Sequence, residues 1–491
     1  MLKIYNSLGK KTEDFRPLKA PHVTMYVCGP TVYSYLHVGN FRGPVFFNFV
    51  RNWLEHSGYQ VKYALNFTDV DDKIINRATE EKKTPQEVSE FYIKEYKKDF
   101  TDLELKPHDY NPKVSDHMND IIQMIEKLIE NKKAYVTDSK LGSDVNYSIE
   151  NFKDYGKLSG RKVEDLKVGV RIDADEKKQS PLDFALWKAA KAHEGSAGSA
   201  WKSPWGHGRP GWHIECSAMV KSLFGDQIDI HGGGLDLIFP HHENEIAQSE
   251  GCTGHDFVKT WMHVNMLNFG GSKMSKSLGN VVTMRDFLKN HHAEIYKWMI
   301  LSVHYRSLAD FSDAAIDLAI AGLSRVYSAL ALADSLVLTN EAFVVDNTYK
   351  AELDQAWAKI TEHINDDFST PQAVAVVFEQ IRKFNSQFKR GMKSNASISS
   401  KAQMFLQFVS QLGAVMSLFN QPAEKFLKEL DLKLLEKMNV KSQDIDLLVA
   451  ERSKARDNKD YAKSDEIRKK LTDLKIAVSD TPSGSYWEVS K

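Results

Sequence analysis

The sequence predicts an α/β protein: a doubly wound, parallel-sheet (Rossmann-like) domain carrying an insertion, then an α-helical bundle and a small mixed α/β domain at the C-terminus. Three observations predict it. Strand-like and helix-like runs alternate through residues 23–82. Periodicity weakens and short strand-like pieces appear from about 134 to 205. Helical spacing of apolar residues then dominates from about 313 to 418.

The first strand is the apolar run Val23-Thr24-Met25-Tyr26-Val27-Cys28. Val45, Phe46, Phe49, Val50, Trp53 and Leu54 follow at helical spacing, and Gly58 stands where a C-terminal capping glycine belongs. Residues 61–67 form a second strand and 71–82 its following helix. Strand–helix–strand at this pitch implies parallel pairing, with a ligand past the carboxyl ends of the strands, where Cys28, His37 and Thr68 fall. Gly195-Ser196-Ala197-Gly198-Ser199 is a flexible-loop composition inside the insertion. Gln227-Ile228-Asp229-Ile230-His231 leads into Gly232-Gly233-Gly234 and restores the strand–loop pattern. In the helical region Leu318, Ile320, Leu323, Val326 and Tyr327 mark one apolar side. Asn420-Gln421-Pro422 punctuates its end, and Ile476-Ala477-Val478 reads as a late strand.

Composition bounds the function. A chain of 491 residues, 42% apolar and 27% charged, has room for about three or four domains with sizeable cores. No run approaches ~18 consecutive apolar residues, so no membrane span is expected. The N-terminus enters a strand-like pattern without a signal-peptide apolar region. Three cysteines cannot build a disulfide framework and fit a reducing cytoplasm. Nor can they complete a four-cysteine zinc knuckle, so any metal must recruit His, Asp or Glu. A net charge of −1 argues against a nonspecific DNA binder. Residues 451–475 hold nine Lys/Arg against six Asp/Glu, equally readable as a solvated helix face or an RNA contact.

Two short motifs and one scattered set carry chemistry. His37-Val38-Gly39-Asn40 follows the first strand, and Lys273-Met274-Ser275-Lys276-Ser277 lies between Gly270-Gly271 and Gly279-Asn280. Together they offer polar groups over phosphates, a glycine permitting close backbone approach and lysines to neutralise charge. The set is Cys28, Cys216, His241 and Glu245. His241 and Glu245 are four apart and share a helix face, and S, N and O donors together suit tetrahedral Zn²⁺. On the residues alone two other readings stay open: buried cysteines as core filler, and a polar helix end.

In this order and separation the two motifs resemble the signatures of class I aminoacyl-tRNA synthetases. Within that class, Tyr26-Val27-Cys28-Gly29-Pro30-Thr31-Val32-Tyr33, Gly211-Trp212-His213-Ile214-Glu215-Cys216-Ser217 and His231-Gly232-Gly233-Gly234 with residues 240–245 resemble the cysteinyl-tRNA synthetase family. The resemblance runs from Met1 to the C-terminal tail. It implies activation of L-cysteine by ATP to cysteinyl-adenylate, then transfer to the 3′ end of tRNA(Cys). It also implies that Cys28, Cys216, His241 and Glu245 bind one zinc ion, which takes the substrate sulfur as a further ligand. Cys252 matches no ligand position and is expected to be structural.

The resemblance assigns His37 and Asn40 to the ATP phosphates and Gly39 to adenine approach. It gives Lys276 the charge developing at the α-phosphate, with Lys273 a secondary cation. Gly234 and Asp236 are candidate ribose contacts, and Thr68 and Trp212 match pocket residues around the amino acid. Trp212 reads equally as core. Mg²⁺ is expected to accompany ATP through its phosphates. One position departs: the family's first signature usually ends in histidine, and this chain has Asn40, which donates a hydrogen bond but carries no proton's charge.

The expected organisation is a catalytic domain in two halves, 1–126 and 207–265, around a connective insertion, 127–206. A signature-loop and stem-contact region, 266–312, a tRNA-binding helical bundle, 313–421, and an anticodon-binding domain, 422–491, follow. The insertion looks too short for a hydrolytic editing domain. Tyr486 and Trp487 read either as platforms for unpaired bases or as packing on their own domain. A cytoplasmic monomer without membrane attachment is expected. Two alternatives share the motifs: a cysteine ligase acting on a small-molecule amine, and a non-catalytic tRNA-binding paralogue.

Overall fold

The computed structural model describes residues 1–139, 142–163, 178–190, 199–269, 281–481 and 484–491. Its centre is a four-stranded, all-parallel sheet. Strand β1 (His22–Val27) leads to helix α1 (Arg42–His56) and then β2 (Gln60–Leu65). After the insertion come helix α2 (Trp212–Phe224), strand β3 (Ile228–Gly234), helix α3 (Glu243–Thr253) and strand β4 (Val258–Val264). The spatial order is β4-β3-β1-β2. Chain direction around the sheet therefore reverses between β1 and β3, and the carboxyl ends of those two strands open a crevice where ligands bind in such folds.

The sequence explains the sheet. Val23, Met25, Tyr26 and Val27 are buried, as are Ile228, Ile230, Gly232 and Gly233, because helices cover both faces. Helix α1 ends where expected, with Gly58 in the left-handed region at φ 91°. It is richly aromatic on its inner side: Phe46, Phe47, Phe49 and Trp53 are all buried.

The chain between β2 and β3 includes a second, antiparallel sheet of five strands. These are Ala134–Ser139, Gly142–Tyr147, Phe184–Ala189, Gly206–Pro210 and Trp201–Ser203 in spatial order. Within the loop expected at 195–199, residues 195–198 lie outside the described residues.

Helices Asp313–Leu336, α4 (Asn347–Asn365), α5 (Thr370–Gln387) and Ala396–Met416 form the bundle. The first has the length and hydropathy of a membrane span, but 61% of that window is buried inside the protein. Its apolar side corrects the expectation at one position. Ile316, Ala319, Ile320, Leu323, Val326 and Tyr327 are buried, whereas Leu318 is 74% exposed. Residue 318 is one step from 319 but about 100° around the helix from it, outside the buried stripe. Three further helices and the hairpin Ile476–Thr481/Gly484–Val489 close the chain. There Trp487 donates Nε1–H to Asp446 Oδ1 at 2.7 Å, and the Arg390 guanidinium covers the Tyr486 ring at 4.2 Å. Cys252 is buried in the core beneath the insertion.

Candidate active site and metal centre

At the switch point the Cys28 N–H donates to Gly232 O at 3.0 Å, fastening the end of β1 to β3. Gly29 follows because nothing larger fits: a Cβ there would lie 1.8 Å from Asn66 O. Its N–H donates to Asn66 Oδ1 at 2.8 Å. A cavity of about 250 Å³ opens beside them, lined by Cys28, Gly29, Gly39, Asn40, Gly234 and Asp236 among others.

Cys28, in the cavity wall, converges with Cys216, His241 and Glu245 behind it, their ligand atoms all within 4.8 Å of one another. The sulfurs of Cys28 and Cys216 are 3.6 Å apart. Cys28 Sγ lies 3.4 Å from Glu245 Oε1, and His241 Nε2 lies 3.1 Å from the same oxygen. Tetrahedral zinc with bonds of about 2.0–2.3 Å needs ligand–ligand edges of roughly 3.3–3.8 Å. The donor set and its spacing fit that ion. Cys216, His241 and Glu245 are buried, while Cys28 is half-buried and faces the cavity. A substrate therefore reaches the centre from the Cys28 side.

Electrostatics favour a cation at this point. Burial alone would raise the Glu245 carboxyl, but His231 and His241 hold it well below the usual range. Burial opposes charge on His241, yet Glu245 and Cys216 raise its pKa to about 10. Burial and the neighbouring Cys216 sulfur push the Cys28 thiol up, and the hydrogen bond from Cys28 brings Cys216 down to about 6. His241 and Cys28 are thus the two groups that hold protons which a bound divalent ion would displace.

The supporting shell is made of histidines that sequence reasoning did not single out. His213 Nδ1 lies 3.0 Å from His241 Nδ1. His213 is held neutral, its pKa lowered to about 3 by burial and by His241. It therefore accepts from His241 and leaves His241 Nε2 to face the centre. His231 Nε2 lies 2.8 Å from Glu245 Oε2, the oxygen turned away from the cysteines. His242 Nδ1 contacts His263 Nε2 at 2.7 Å, and His263 Nδ1 contacts Ser7 Oγ at 2.7 Å. Cys28, His231, His242 and Glu245 form a second group within 4.8 Å. Because His231 already engages Glu245, it acts there as an orienting partner of the carboxylate. The crowding of His213, His231, His241, His242 and His263 into one part of the chain is the signal that points to this shell.

The phosphate side is built on α1. Residues Val38–Phe41 form a 3₁₀ turn that runs into it, and the His37 N–H donates to Asn40 Oδ1 at 3.2 Å. Asn40 is exposed and lines the cavity. Gly39 lies against the His37 ring, where a Cβ would come within 2.9 Å of it and 3.8 Å from Phe269. Val38 N–H donates to Val282 O at 3.0 Å. Phe269 and Val282, which flank 270–280, thus both reach the first motif. Lys273 and Lys276 themselves lie outside the described residues.

The remaining expected residues divide. Gly234 and Asp236 line the cavity, and a Cβ at Gly234 would meet Asp236 Oδ1 at 2.4 Å. Thr68 is buried, its Oγ1 3.5 Å from Glu215 Oε2 and 3.5 Å from Asn66 Nδ2. Trp212 is 42% exposed and stacks on His241 with ring centres 4.2 Å apart, so it belongs to the site's rim and not to the core.

Comparison with known proteins decides the family. Residues 14–321 match the model for class I tRNA synthetase (C) catalytic domains, and 359–420 match the DALR domain. Residues 441–487 match the cysteinyl-tRNA ligase anticodon binding domain. The chain is 64% identical over 491 residues to the Cysteine--tRNA ligase of Bdellovibrio bacteriovorus, covering 100% of each. It is 42% identical to that of Trichlorobacter lovleyi, covering 99% of each. The chain belongs to the cysteinyl-tRNA synthetase family. Among solved structures, the Mycobacterium tuberculosis methionyl-tRNA synthetase in complex with methionyl-adenylate superposes with a TM-score of 0.60 at 13% identity, covering 82% of this chain and 91% of that one. At that identity the likeness shows the shared fold. In this cysteinyl-tRNA synthetase family member the Cys/His/Glu cluster beside the cavity is consistent with zinc.

Proposed function

We propose that this chain activates L-cysteine with ATP and transfers it to the 3′ end of tRNA(Cys), with zinc selecting the substrate thiol. The observation that carries the reading is the Cys28–Cys216–His241–Glu245 centre at one end of a cavity whose other wall is Gly39 and Asn40. The cysteine carboxylate attacks the α-phosphate of ATP, the bond to pyrophosphate breaks, and a terminal ribose hydroxyl of tRNA then displaces AMP. Neither step needs an enzyme nucleophile; both depend on positioning and charge stabilisation.

His37 and Asn40 orient the phosphates, Gly39 admits adenine, and Gly234 with Asp236 meets the ribose. Lys276 stabilises charge at the α-phosphate, with Lys273 a secondary cation. Thr68 and Trp212 border the amino acid, Thr68 from beneath and Trp212 at the rim. Zinc, one per chain, supplies a soft Lewis acid that holds a thiolate and is a poor partner for a serine hydroxyl. Shape alone would separate such close analogues by only ~1–3 kcal/mol. Mg²⁺ enters with ATP.

The same reading assigns the two halves 1–126 and 207–265 to catalysis around the connective insertion 127–206. It gives 266–312 to the signature loop and stem contact, 313–421 to tRNA binding and 422–491 to the anticodon. It takes the working state as a cytoplasmic monomer. Amino-acid-dependent ATP–pyrophosphate exchange tests it. Exchange with cysteine and not serine, lost on chelation and restored by Zn²⁺, followed by charging of tRNA(Cys), is the expected result. Exchange without charging would transfer the reading to a small-molecule cysteine ligase. No exchange by the folded, zinc-loaded protein would leave a non-catalytic tRNA-binding paralogue.

A further inference from the structure

A buried carboxylate joins the helical bundle to the sheet domain. The turn between α4 and α5 places two successive non-glycine residues, Asp367 and Phe368, in the left-handed region at φ 54° and 55°. Such backbone persists only where the surroundings enforce it, and here they do. Asp367 Oδ1 accepts from the Tyr5 N–H at 2.8 Å and from the Tyr305 hydroxyl at 2.7 Å. Asp367 Oδ2 accepts from Arg306 Nε at 2.8 Å and Nη2 at 2.7 Å. The Asp367 N–H donates to Lys3 O at 3.0 Å, and His304 Nε2 meets Asp367 O at 3.0 Å. Every oxygen of this 4%-exposed residue is occupied, and these partners belong to the short N-terminal strand Lys3–Asn6, which precedes β1, or to segment 304–306.

That segment also faces the phosphate site. Arg42, the first residue of α1 and part of the cavity wall, donates to Met266 O at 2.5 Å and Ser307 O at 2.6 Å. Beside Asp367, Phe368 is fully buried edge-on against Phe46 and Phe49 of α1, and Tyr305 stacks on Phe46 at 4.4 Å. Farther along, Trp53 Nε1 donates to Asn365 Oδ1 at 3.0 Å. The helix whose first turn forms the phosphate site is therefore gripped along its length by one turn of the bundle.

We propose that Asp367 is a positioning residue for acyl transfer: it fixes the angle between bundle and sheet domain, and thereby where tRNA held on the bundle delivers its 3′ ribose. On the proposed function cysteine and ATP are held by the sheet domain and the 266–312 region, whereas tRNA also engages the bundle. A small angular error at the turn grows with distance along the tRNA, and a displacement of about 1 Å at the reacting atoms costs about a hundredfold in rate. The inference rests on the tRNA-charging function proposed above.

The test is Asp367→Asn in the full, zinc-loaded chain. Asparagine also tolerates the left-handed region, so the backbone keeps its conformation while the charge facing Arg306 is lost. Cysteine-dependent pyrophosphate exchange, single-turnover transfer from preformed adenylate at saturating tRNA, and tRNA affinity are measured on one preparation. Transfer is expected to fall at least about tenfold further than exchange, with tRNA affinity changed less than about threefold. Arg306→Lys keeps the charge but loses the two-nitrogen contact; it should show the same split if Asp367→Asn fails to fold. The double variant should be no worse than the poorer single one, because both break one contact. Equal loss of exchange and transfer, or unchanged transfer, would overturn the proposal. A wild-type chain inactive in exchange or charging would instead overturn the underlying function.

Discussion

The imidazoles of His213 and His241 face each other through their Nδ1 atoms at 3.0 Å, so that one histidine sets which nitrogen the other presents to the metal centre. His213 comes from the first turn of α2 and His241 from just before α3, and Trp212 stacks on His241 from outside. The sheet domain thus orients a ligand through two successive helices on either side of strand β3.

His213→Phe keeps the ring packing but removes the acceptor for His241 Nδ1–H. Zinc affinity, measured by competition with a chromophoric chelator, should fall about 10–100-fold. An unchanged affinity would show that His241 is oriented by packing alone.

Cys216→Ser removes a soft ligand while conserving volume. Cysteine-dependent exchange should fall more than about a hundredfold, with bound zinc reduced, while the far-UV spectrum and tRNA binding stay unchanged. A fully active, zinc-free Cys216→Ser protein would defeat metal selection of the substrate.

Asn40 accepts the His37 N–H and shapes the phosphate turn. Asn40→Ala should lower kcat/KM for ATP about fivefold, the equivalent of one lost hydrogen bond of about 1 kcal/mol. Asn40→His should recover that loss, since an imidazole nitrogen offers the same acceptor. Steady-state exchange over a range of ATP concentrations measures both.

His108 gives the folded state an acid limit. Enclosed between Tyr63 and Phe100, with ring centres 4.7 and 4.6 Å away, it is lowered by burial from the ordinary 6.5 to about 3. Below pH 6.5 the unfolded chain takes up this proton and the native state does not. The contribution is therefore complete above 6.5 and shrinks as pH falls toward 3. Between pH 7.5 and 5.5 this one group should account for ~1.4 kcal/mol of lost stability. Urea unfolding at both pH values should show a loss smaller by that amount in His108→Leu.

Much of this was legible in the sequence because the signals are local. The β1–α1–β2 unit declares itself by apolar spacing and a capping glycine, and the His241–Glu245 pair by its four-residue interval. Cys28 and Cys216 join that pair only through tertiary convergence, and it was the family resemblance that linked them. The histidine shell escaped notice because its contacts run across strands and helices: His231 with Glu245, His242 with His263, and His263 with Ser7. Leu318 misled because an apolar residue beside a buried stripe looks like part of it until the neighbouring helices are in place. Asp367 carries no local signal either, since its five partners lie in two segments far away in the chain.

Strand β1 runs directly into Cys28, and the segment leading to Gly39 and Asn40 is fastened by Val32 N–H to Thr68 O at 3.2 Å and Val38 N–H to Val282 O at 3.0 Å. The distance between the sulfur-reading and phosphate-reading ends is accordingly a fixed gauge length. Homocysteine carries the same thiol but one more methylene, about 1.5 Å of extra chain. Anchored by its sulfur, it would carry its carboxylate beyond the α-phosphate. On the proposed function the site is therefore expected to select its substrate by length as well as by element.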